Sequence, residues 1–440
     1  METNLEGIAV KARKETSLRF TSLCHHITRE LVWESLCHIP ANSSPGVDGV
    51  TVDQAKENFP NWIEEMLQSV HRKGYKAPSV RRVWIPKPGK KTDKRPLAVP
   101  CITDRALQRS VSKVLSAIYE QDFLPCSFGG RPNLSAHHAL ATFNEVVAGK
   151  KVGWVFEADL KNFFGSLDKK WLIKFVKHRV GDPRIINLIQ RWLKAGILEN
   201  GEVHLSETGV PQGGSASVLL SNIYLHYVLD LWFEKVIKSK LKGEAYMQRY
   251  IDDFVVCFQY RSDALKFQEA LRKRLGKFSL ELEPTKTRLV EFGRFAHRHA
   301  KERRKKMETV YFLGFTHFCT RNRKGNFMVG RKTEKTRFRR SVDKLYGLMR
   351  EIRHFSIKEQ TEKINQVLRG HYAYYGLGGN LESLLRIERI TEKYWRRMLS
   401  SRSRKSHVTW EKFHMLKSLY PLQTPSLSLP FERMQAFAVL

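Results

Sequence analysis

The sequence lacks the features that mark several other classes of protein. Its cysteines occur singly, without the paired C-x-x-C spacing of a zinc site, and we expect reduced thiols in the core. They are Cys24, Cys37, Cys101, Cys126, Cys257 and Cys319. No apolar run approaches the roughly 20 residues of a membrane-spanning helix, and METNLEGIAVKARKE at the start has no hydrophobic signal region. We therefore expect a cytoplasmic protein without a membrane partner.

Acidic residues are also scarce relative to basic ones. The chain of 440 residues has 77 Lys and Arg against 44 Asp and Glu, a formal charge of +33. This excess exceeds what solubility requires and is sufficient to hold a long polyanion. We expect nucleic acid to bind mainly through its phosphates, with an affinity that falls steeply as salt rises.

The order of apolar segments predicts an α+β protein. The stretch LRFTSLCHHITRELVWESL predicts a helix that stops before Pro40, and ANSSPGVDGVT is a turn-rich loop. From Tyr75 onward, VRRVWIP predicts a strand, and a helix from near Asp104 carries one apolar face. That face consists of Leu107, Val111, Val114, Leu115 and Ile118. With 42% hydrophobic residues, the chain is long enough for two or three packed lobes.

A basic track follows in the last third of the chain. Residues 301–340 hold 14 Lys or Arg against 3 Asp or Glu. Apolar residues then recur at helical spacing from Phe338 to Ile352, and the opposite face carries Arg339, Arg340, Lys344, Arg350 and Arg353. A solvated charged helix is the alternative, but the single sign of the charges favours phosphate binding.

Three aspartates follow strand-like segments. VGWVFEADL ends a buried type of strand with Asp159, and YMQRYIDDFVVCF places Asp252 and Asp253 at the turn of a predicted β-hairpin. If these strand ends converge, their carboxylates suit divalent ions about 4 Å apart that assist phosphoryl transfer. Mg²⁺ favours such oxygen ligands. An Asp-Asp turn alone is ordinary hairpin chemistry, so this pattern needs support from other segments.

That support comes from the order of several motifs. In sequence they are SSPGVDGVT, RRVWIPKPGKKTDKRPLAVPCITDRALQ, FGGRPNLSAHHAL, ADLKNFFGSLD, GVPQGGSASVLLSNIYL, RYIDDFVV, LELEPTKTRLVEF and YFLGF. Together they resemble the reverse transcriptase family, in its bacterial group II intron-like branch. LRGHYAYYGLGGN and ITEKYWRRML are similar to the helical thumb, or maturase domain, of that branch.

The resemblance implies a right-hand polymerase with an antiparallel palm sheet, and it divides the chain into four parts. Residues 1–75 would form an N-terminal extension with a loop, and residues 76–320 the fingers and palm. Residues 321–400 would form the helical thumb, and residues 401–440 a short basic segment without an endonuclease.

The same resemblance implies the metal ligands. Asp159 and Asp252 would bind two Mg²⁺ ions, for which Mn²⁺ can substitute. Asp253 would lie beside them, and the Leu160 carbonyl would complete the set. The expected substrates are RNA or DNA template-primer duplexes and deoxynucleoside triphosphates. The residues do not fix the oligomeric state, and a homodimer stays open.

Further residues would contact the substrates. Lys87 and Arg95 would hold the triphosphate through charge-assisted contacts, for which a solvated basic loop is the alternative. Phe163 would crowd a ribose 2′-hydroxyl, although a core Phe beside Phe164 is a serious competitor. Contacts to the nucleotide, primer end or template are implied for Gln212, Tyr250, Ile251, Arg131 and the YFLGF turn near Gly314.

Two departures from the family pattern bear on the biological role. Ile251 stands where the branch usually has Ala, and its β-branched side chain would restrict space at the primer end. The chain resembles free-standing group II-like enzymes that carry this Ile and are recruited for host functions such as DNA repair, including microhomology-mediated end joining. A neutral packing substitution is the alternative for Ile251. The second departure is that we expect no endonuclease after the thumb, although some mobile intron enzymes also lack one. The alternatives are an intron-encoded maturase and reverse transcriptase for splicing and retrohoming, and a phage-defence reverse transcriptase.

Overall fold

The computed structural model describes residues 4–86, 94–199, 202–204, 209, 214–304, 306–403 and 407–439. The strands are β1 (Val80–Pro86), β2 (Lys94–Val99), β3 (Trp154–Asp159), β4 (Ile197–Glu199), β5 (Glu202–His204), β6 (Ala245–Tyr250), β7 (Asp253–Phe258), β8 (Arg288–Glu291), β9 (Thr309–Phe312), β10 (Phe315–Arg321) and β11 (Phe327–Thr333). The helices are α1 (Leu5–Lys14), α2 (Arg29–Cys37), α3 (Val52–Glu57), α4 (Phe59–His71), α5 (Ile102–Tyr119), α6 (Ala136–Gly149), α7 (Phe163–Ser166), α8 (Lys169–Arg179), α9 (Pro183–Lys194), α10 (Ser217–Leu225), α11 (Arg261–Lys277), α12 (Ala296–Glu302), α13 (Lys335–Glu351), α14 (Ile357–Tyr375), α15 (Leu381–Ser400), α16 (Trp410–Leu419) and α17 (Phe431–Phe437).

Three sheets organise the strands, and the mixture of helices with antiparallel sheets agrees with the predicted α+β class. The central sheet has the order β6-β7-β3-β8, and all its strands are antiparallel. A second sheet has the order β2-β1-β4-β5, with a parallel pair between β1 and β4. The third sheet, β11-β10-β9, is antiparallel.

The central sheet is buried on both faces. Alternate residues of its strands point to opposite sides, and each side packs into a different core. Along β3, Phe156 packs into a first core with the N-terminal helices, α5 and α8 to α11, whereas Val155 packs into a second core. The second core contains α6, the third sheet and Met434 of α17. Asp159 lies an even number of residues from Val155, so it shares the face of the second core.

The N-terminal helices pack into the first core. Ile8 of α1, Leu36 of α2 and Ile63 of α4 are buried with the apolar face of α5. The prediction for α5 is confirmed, since each of its five predicted core residues is at most 2% exposed.

The predicted helix over LRFTSLCHHITRELVWESL is wrong in its first half. The α-helix begins only at Arg29, where Thr28 caps it by accepting a hydrogen bond from the Leu31 amide. The preceding chain is held by Asp182, whose carboxylate accepts hydrogen bonds from the amides of Leu23 and Cys24 at 2.8 and 2.9 Å. This distant carboxylate replaces the hydrogen bonds that a helix would have supplied.

A third core lies between helices α13 to α16, after the third sheet. The predicted amphipathic helix is confirmed as α13, where Leu345 and Met349 are buried and Phe338 and Val342 pack at the edge. Trp395 of α15 is fully buried there and donates a hydrogen bond to Gln360 at 2.8 Å. Within the described part of the chain, no helix is long and apolar enough to span a membrane.

Candidate active site

The central sheet brings the three predicted aspartates together. Asp159, the last residue of β3, lies directly opposite Asp253, the first residue of β7. Tyr250 at the end of β6 lies opposite Asp253 on its other side, and Asp252 occupies the turn between β6 and β7. Directly opposed residues of antiparallel strands have Cα atoms about 4.5–5.5 Å apart. The two strand ends therefore converge, which is the condition that the metal-site hypothesis required.

The electrostatics of these carboxylates are those of a crowded acidic cluster. Burial raises the pKa of Asp253 to about 7, and repulsion from Asp159 and Asp252 adds to the rise. Burial also raises the pKa of Asp252, and the Asp159 charge acts in the same direction. Because like charges at close range destabilise the ionised forms, the cluster favours the binding of a cation.

Lys286 is a cation beside this cluster that the sequence reasoning did not single out. It lies in a one-turn 3₁₀ helix just before β8, and its ammonium group forms an ion pair with Asp159. Its charge lowers the pKa values of Asp252 and Asp253. The motif LELEPTKTRLVEF contained this lysine, but only the fold shows that it reaches a carboxylate 127 positions away.

The second carboxylate on the face of Asp159 is not free to join a metal site. Glu157 accepts hydrogen bonds from the Arg288 guanidinium and the Tyr311 amide. These contacts tie β3 to β9, so Glu157 connects the central sheet to the third sheet. Burial raises the pKa of Glu157, whereas the Arg288 charge lowers it.

The carboxylate oxygens of the cluster suit a hard divalent cation, and the protein would supply only some of the ligands of that cation. Among the described residues, no group of three or more His, Cys, Asp or Glu side chains is arranged to enclose a metal ion. Mg²⁺ commonly uses one or two carboxylates together with waters and substrate phosphates. The Leu160 carbonyl is compatible with such a set, because the neighbouring bridge to Leu282 uses the Asp159 carbonyl and the Lys161 amide instead.

The residues predicted to bind the triphosphate are only partly described. Arg95 is exposed on β2, and its charge lowers the pKa of Asp252, so it lies within electrostatic range of the cluster. Lys87 and Gln212 lie outside the described residues. Two glycines, one on either side of Gln212, are described. The Gly209 amide donates a hydrogen bond to the Leu167 carbonyl. Gly214 packs so closely that an added Cβ would lie 2.7 Å from Gln108 Oε1.

The structure buries Phe163 and leaves its neighbour partly exposed. Phe163 is only 2% exposed and packs in the first core. Asn162, at φ 45° in the left-handed region, is the N-cap residue of the short helix α7. Phe164 makes an edge contact to Phe163 at 5.3 Å and stays partly exposed. This burial favours the alternative interpretation of Phe163 as a core residue.

Arg131 is committed to internal contacts. Its guanidinium donates hydrogen bonds to Glu120 at 2.8 Å and to the carbonyls of Leu124 and Ser127 at 3.0 and 2.8 Å. It also lies over the Phe123 ring. These contacts use Nε and Nη1 of the guanidinium, and the contact of Arg131 to template stays a prediction.

The YFLGF turn lies close to the aspartates. Gly314 has φ +81°, and the preceding carbonyl of Leu313 accepts a hydrogen bond from the Tyr374 hydroxyl at 2.9 Å. Burial raises the pKa of Tyr374, and the nearby charge of Asp253 adds to the rise. The end of α14 thus packs beside both the YFLGF turn and the aspartate cluster.

Comparison with known proteins gives the family. The family model described as reverse transcriptase (RNA-dependent DNA polymerase) matches residues 85–317, more than half of the chain. The chain belongs to the reverse transcriptase family. The match includes all three aspartates and ends within β10.

Two relatives support the group II intron-like branch of reverse transcriptases. The chain is 34% identical over 232 residues to the group II intron-encoded protein LtrA of Lactococcus lactis subsp. cremoris, covering 52% of this chain and 38% of LtrA. It is 32% identical over 244 residues to protein YkfC of Escherichia coli, covering 54% of this chain and 64% of YkfC. The chain therefore spans less than two thirds of either relative.

Proposed function

We propose that the chain is an RNA-directed DNA polymerase that copies RNA or DNA into DNA by two-metal nucleotidyl transfer. The observation that carries the proposal is the pairing of Asp159 with Asp253 across β3 and β7, with Asp252 at the adjoining turn. In a reverse transcriptase this geometry places carboxylates where a primer 3′ end and a nucleotide triphosphate can meet. The central sheet would be the palm, β1 and β2 would belong to the fingers, and α13 to α15 would form the thumb.

In this proposal each residue has a defined task. Asp159 and Asp252 hold two Mg²⁺ ions with the Leu160 carbonyl, and Asp253 shapes the charge beside them. The ions would lower the pKa of the primer hydroxyl and neutralise the leaving pyrophosphate. Arg95 and Lys286 orient the triphosphate through charge-assisted hydrogen bonds.

Phe164 is proposed here in place of Phe163 as the residue that excludes ribonucleotides. Its ring is the partly exposed one of the pair, and it follows Asp159 closely on the same segment. Exclusion of a 2′-hydroxyl by a ring is steric, so it requires a side chain that reaches the open side of the site.

Primer extension tests the proposal directly. We expect Asp252→Ala to abolish extension in Mg²⁺ while binding of a primer-template duplex stays nearly unchanged, because duplex binding depends on basic residues. Extension by Asp252→Ala at the wild-type rate would contradict the proposal.

The proposed biological role is host DNA repair, such as filling in or joining ends through short annealed tracts. Ile251 supports this role, since it replaces the usual Ala of the branch. Service to an intron as a maturase is the second candidate, because LtrA is an intron-encoded protein. A catalytic intron RNA in the DNA that flanks the gene would favour the maturase, and its absence would favour repair.

A further inference from the structure

The turn that carries Asp252 contains a strained residue. Ile251 has φ +59°, in the left-handed region that β-branched residues avoid. Holding such a residue there is unfavourable by an amount equivalent to about 5- to 150-fold in an equilibrium constant. We call residues 250–253 the aspartate turn. Some other part of the protein must stabilise its conformation.

Arg249 provides a direct contact to this turn. Its Nη1 donates a hydrogen bond to the Ile251 carbonyl at 2.9 Å. The same guanidinium pairs with Asp230 through two hydrogen bonds of 2.7 and 2.6 Å, and both side chains are fully buried. Asp230 ends the π-helical segment that follows α10, so the pair anchors the turn to a helix of the first core.

All five donors of the Arg249 guanidinium are used. Besides the Asp230 carboxylate and the Ile251 carbonyl, it donates to Asn222 Oδ1 at 3.0 Å and to Ser127 Oγ at 2.7 Å. A lysine has three donors and no planar fork, so it cannot reproduce this set. The arrangement is specific to arginine.

The network also fixes the loop that faces the turn. Asn222 donates a hydrogen bond to the Gly129 carbonyl at 2.7 Å. The Arg249 amide donates to the Cys126 carbonyl, and the Arg249 carbonyl accepts from the Phe128 amide. Gly129 packs so closely that a Cβ there would lie 2.6 Å from the Ile251 amide nitrogen. The aspartate turn is therefore held from both sides.

Stability alone does not explain this arrangement. A buried ion pair often contributes no more to stability than well-packed apolar residues of similar volume. An apolar pair, however, would leave the Ile251 carbonyl without its hydrogen bond.

We propose that Arg249, oriented by Asp230 and Asn222, is a positioning residue that keeps Ile251 in the left-handed conformation and so fixes Asp252 beside Asp159. This inference rests on the proposed polymerase function and adds a specific residue to it. None of the five Arg249 donors bonds to the carboxylates of Asp159, Asp252 or Asp253. Arg249 acts through the backbone of the turn.

The test compares Arg249→Lys with the matched control Arg274→Lys. Arg274 donates to the carbonyls of Val228 and Tyr227 in the same π-helical segment but makes no contact with the aspartate turn. The two readouts are single-nucleotide incorporation and Mn²⁺ binding to the enzyme with a primer-template duplex, measured by electron paramagnetic resonance. We expect Arg249→Lys to lower the rate and weaken Mn²⁺ binding by about tenfold or more. Arg274→Lys should change both by less than about twofold.

A rescue separates positioning from general stability. Glycine adopts positive φ without strain, so Ile251→Gly should relieve the loss in the Arg249→Lys background by about fivefold or more. Where Arg249→Lys does not fold, as judged by thermal unfolding, Arg249→Met combined with Asp230→Leu is used instead, because it removes both buried charges together.

Different outcomes would overturn the positioning role of Arg249 and the proposed polymerase function. Unchanged Mn²⁺ binding and rate in folded Arg249→Lys would overturn the inference, and so would a loss that Ile251→Gly does not relieve. A wild-type enzyme that incorporates no nucleotide would overturn the proposed function, and Mn²⁺ binding would still decide the positioning role.

Discussion

Replacing Gly129 with Ala should displace the turn that carries Asp252. The added Cβ would lie 2.6 Å from the Ile251 nitrogen, 2.7 Å from Ile251 Cγ1 and 2.9 Å from the Tyr250 carbonyl carbon. The closest contact falls about 0.9 Å short of an ordinary separation of about 3.5 Å. Because two of the three atoms are backbone, the main chain of the turn must move.

The expected magnitudes follow from that displacement. Overpacking of this kind destabilises a protein by about 1–3 kcal/mol. A shift of about 1 Å at a reacting group lowers a rate by about a hundredfold. We therefore expect Gly129→Ala to lower the rate of single-turnover incorporation far more than its loss of stability would suggest.

The assay needs two companions. Gly276→Ala on α11 is the control, since its Cβ would meet no atom within 4 Å, and it should be neutral or stabilising by about 1 kcal/mol. Ile251→Ala added to Gly129→Ala should not restore the rate, because it removes only the side-chain contact. Wild-type rate and stability in Gly129→Ala would refute the reasoning, and full recovery with Ile251→Ala would show that the backbone is not under pressure.

Three other predictions concern selectivity, pH and salt. Phe164→Val should increase ribonucleotide incorporation in competition assays, whereas Phe163→Val should lower thermal stability and leave selectivity unchanged. Burial lowers the pKa of His226 to about 4 from 6.5, so the unfolded state binds its proton first. The contribution of His226 to stability should be complete above pH 6.5 and fall by up to about 3 kcal/mol toward pH 4. Chemical denaturation of His226→Leu should lack this part of the pH dependence. Lys344 and Arg350 lie on the exposed face of α13. Replacing either with Ala should reduce the slope of log duplex affinity against log salt concentration by about 1. An unchanged slope would show that α13 only faces solvent.

Local patterns in the sequence were sufficient to predict several elements. The β6–β7 hairpin, the buried face of α5 and the amphipathic α13 follow from spacing of two or three to four residues, which depends on neighbours along the chain. The positions of Asp159 and Asp253 at strand ends were also predicted, whereas the direct pairing of the two residues is seen only in the sheet.

Other features depend on contacts between distant parts of the chain. Asp182 shortens the first predicted helix from 159 residues away, and no local pattern announces that contact. Lys286 pairs with Asp159 in the same way. The burial of Phe163 and the partial exposure of Phe164 depend on packing in the first core, which two adjacent Phe residues in the sequence do not reveal.

The most direct test of the account is single-turnover nucleotide incorporation by Asp159→Asn in Mg²⁺. Asparagine keeps the shape of the side chain and removes its charge. The control is Glu281→Gln, because Glu281 is a nearby exposed carboxylate that forms an ion pair with Lys161. We predict a loss of about a thousandfold or more for Asp159→Asn, since a metal supplies several kcal/mol of charge stabilisation. Glu281→Gln should remain close to wild type. Equal rates for the two variants would contradict the assignment of Asp159 to the metal site.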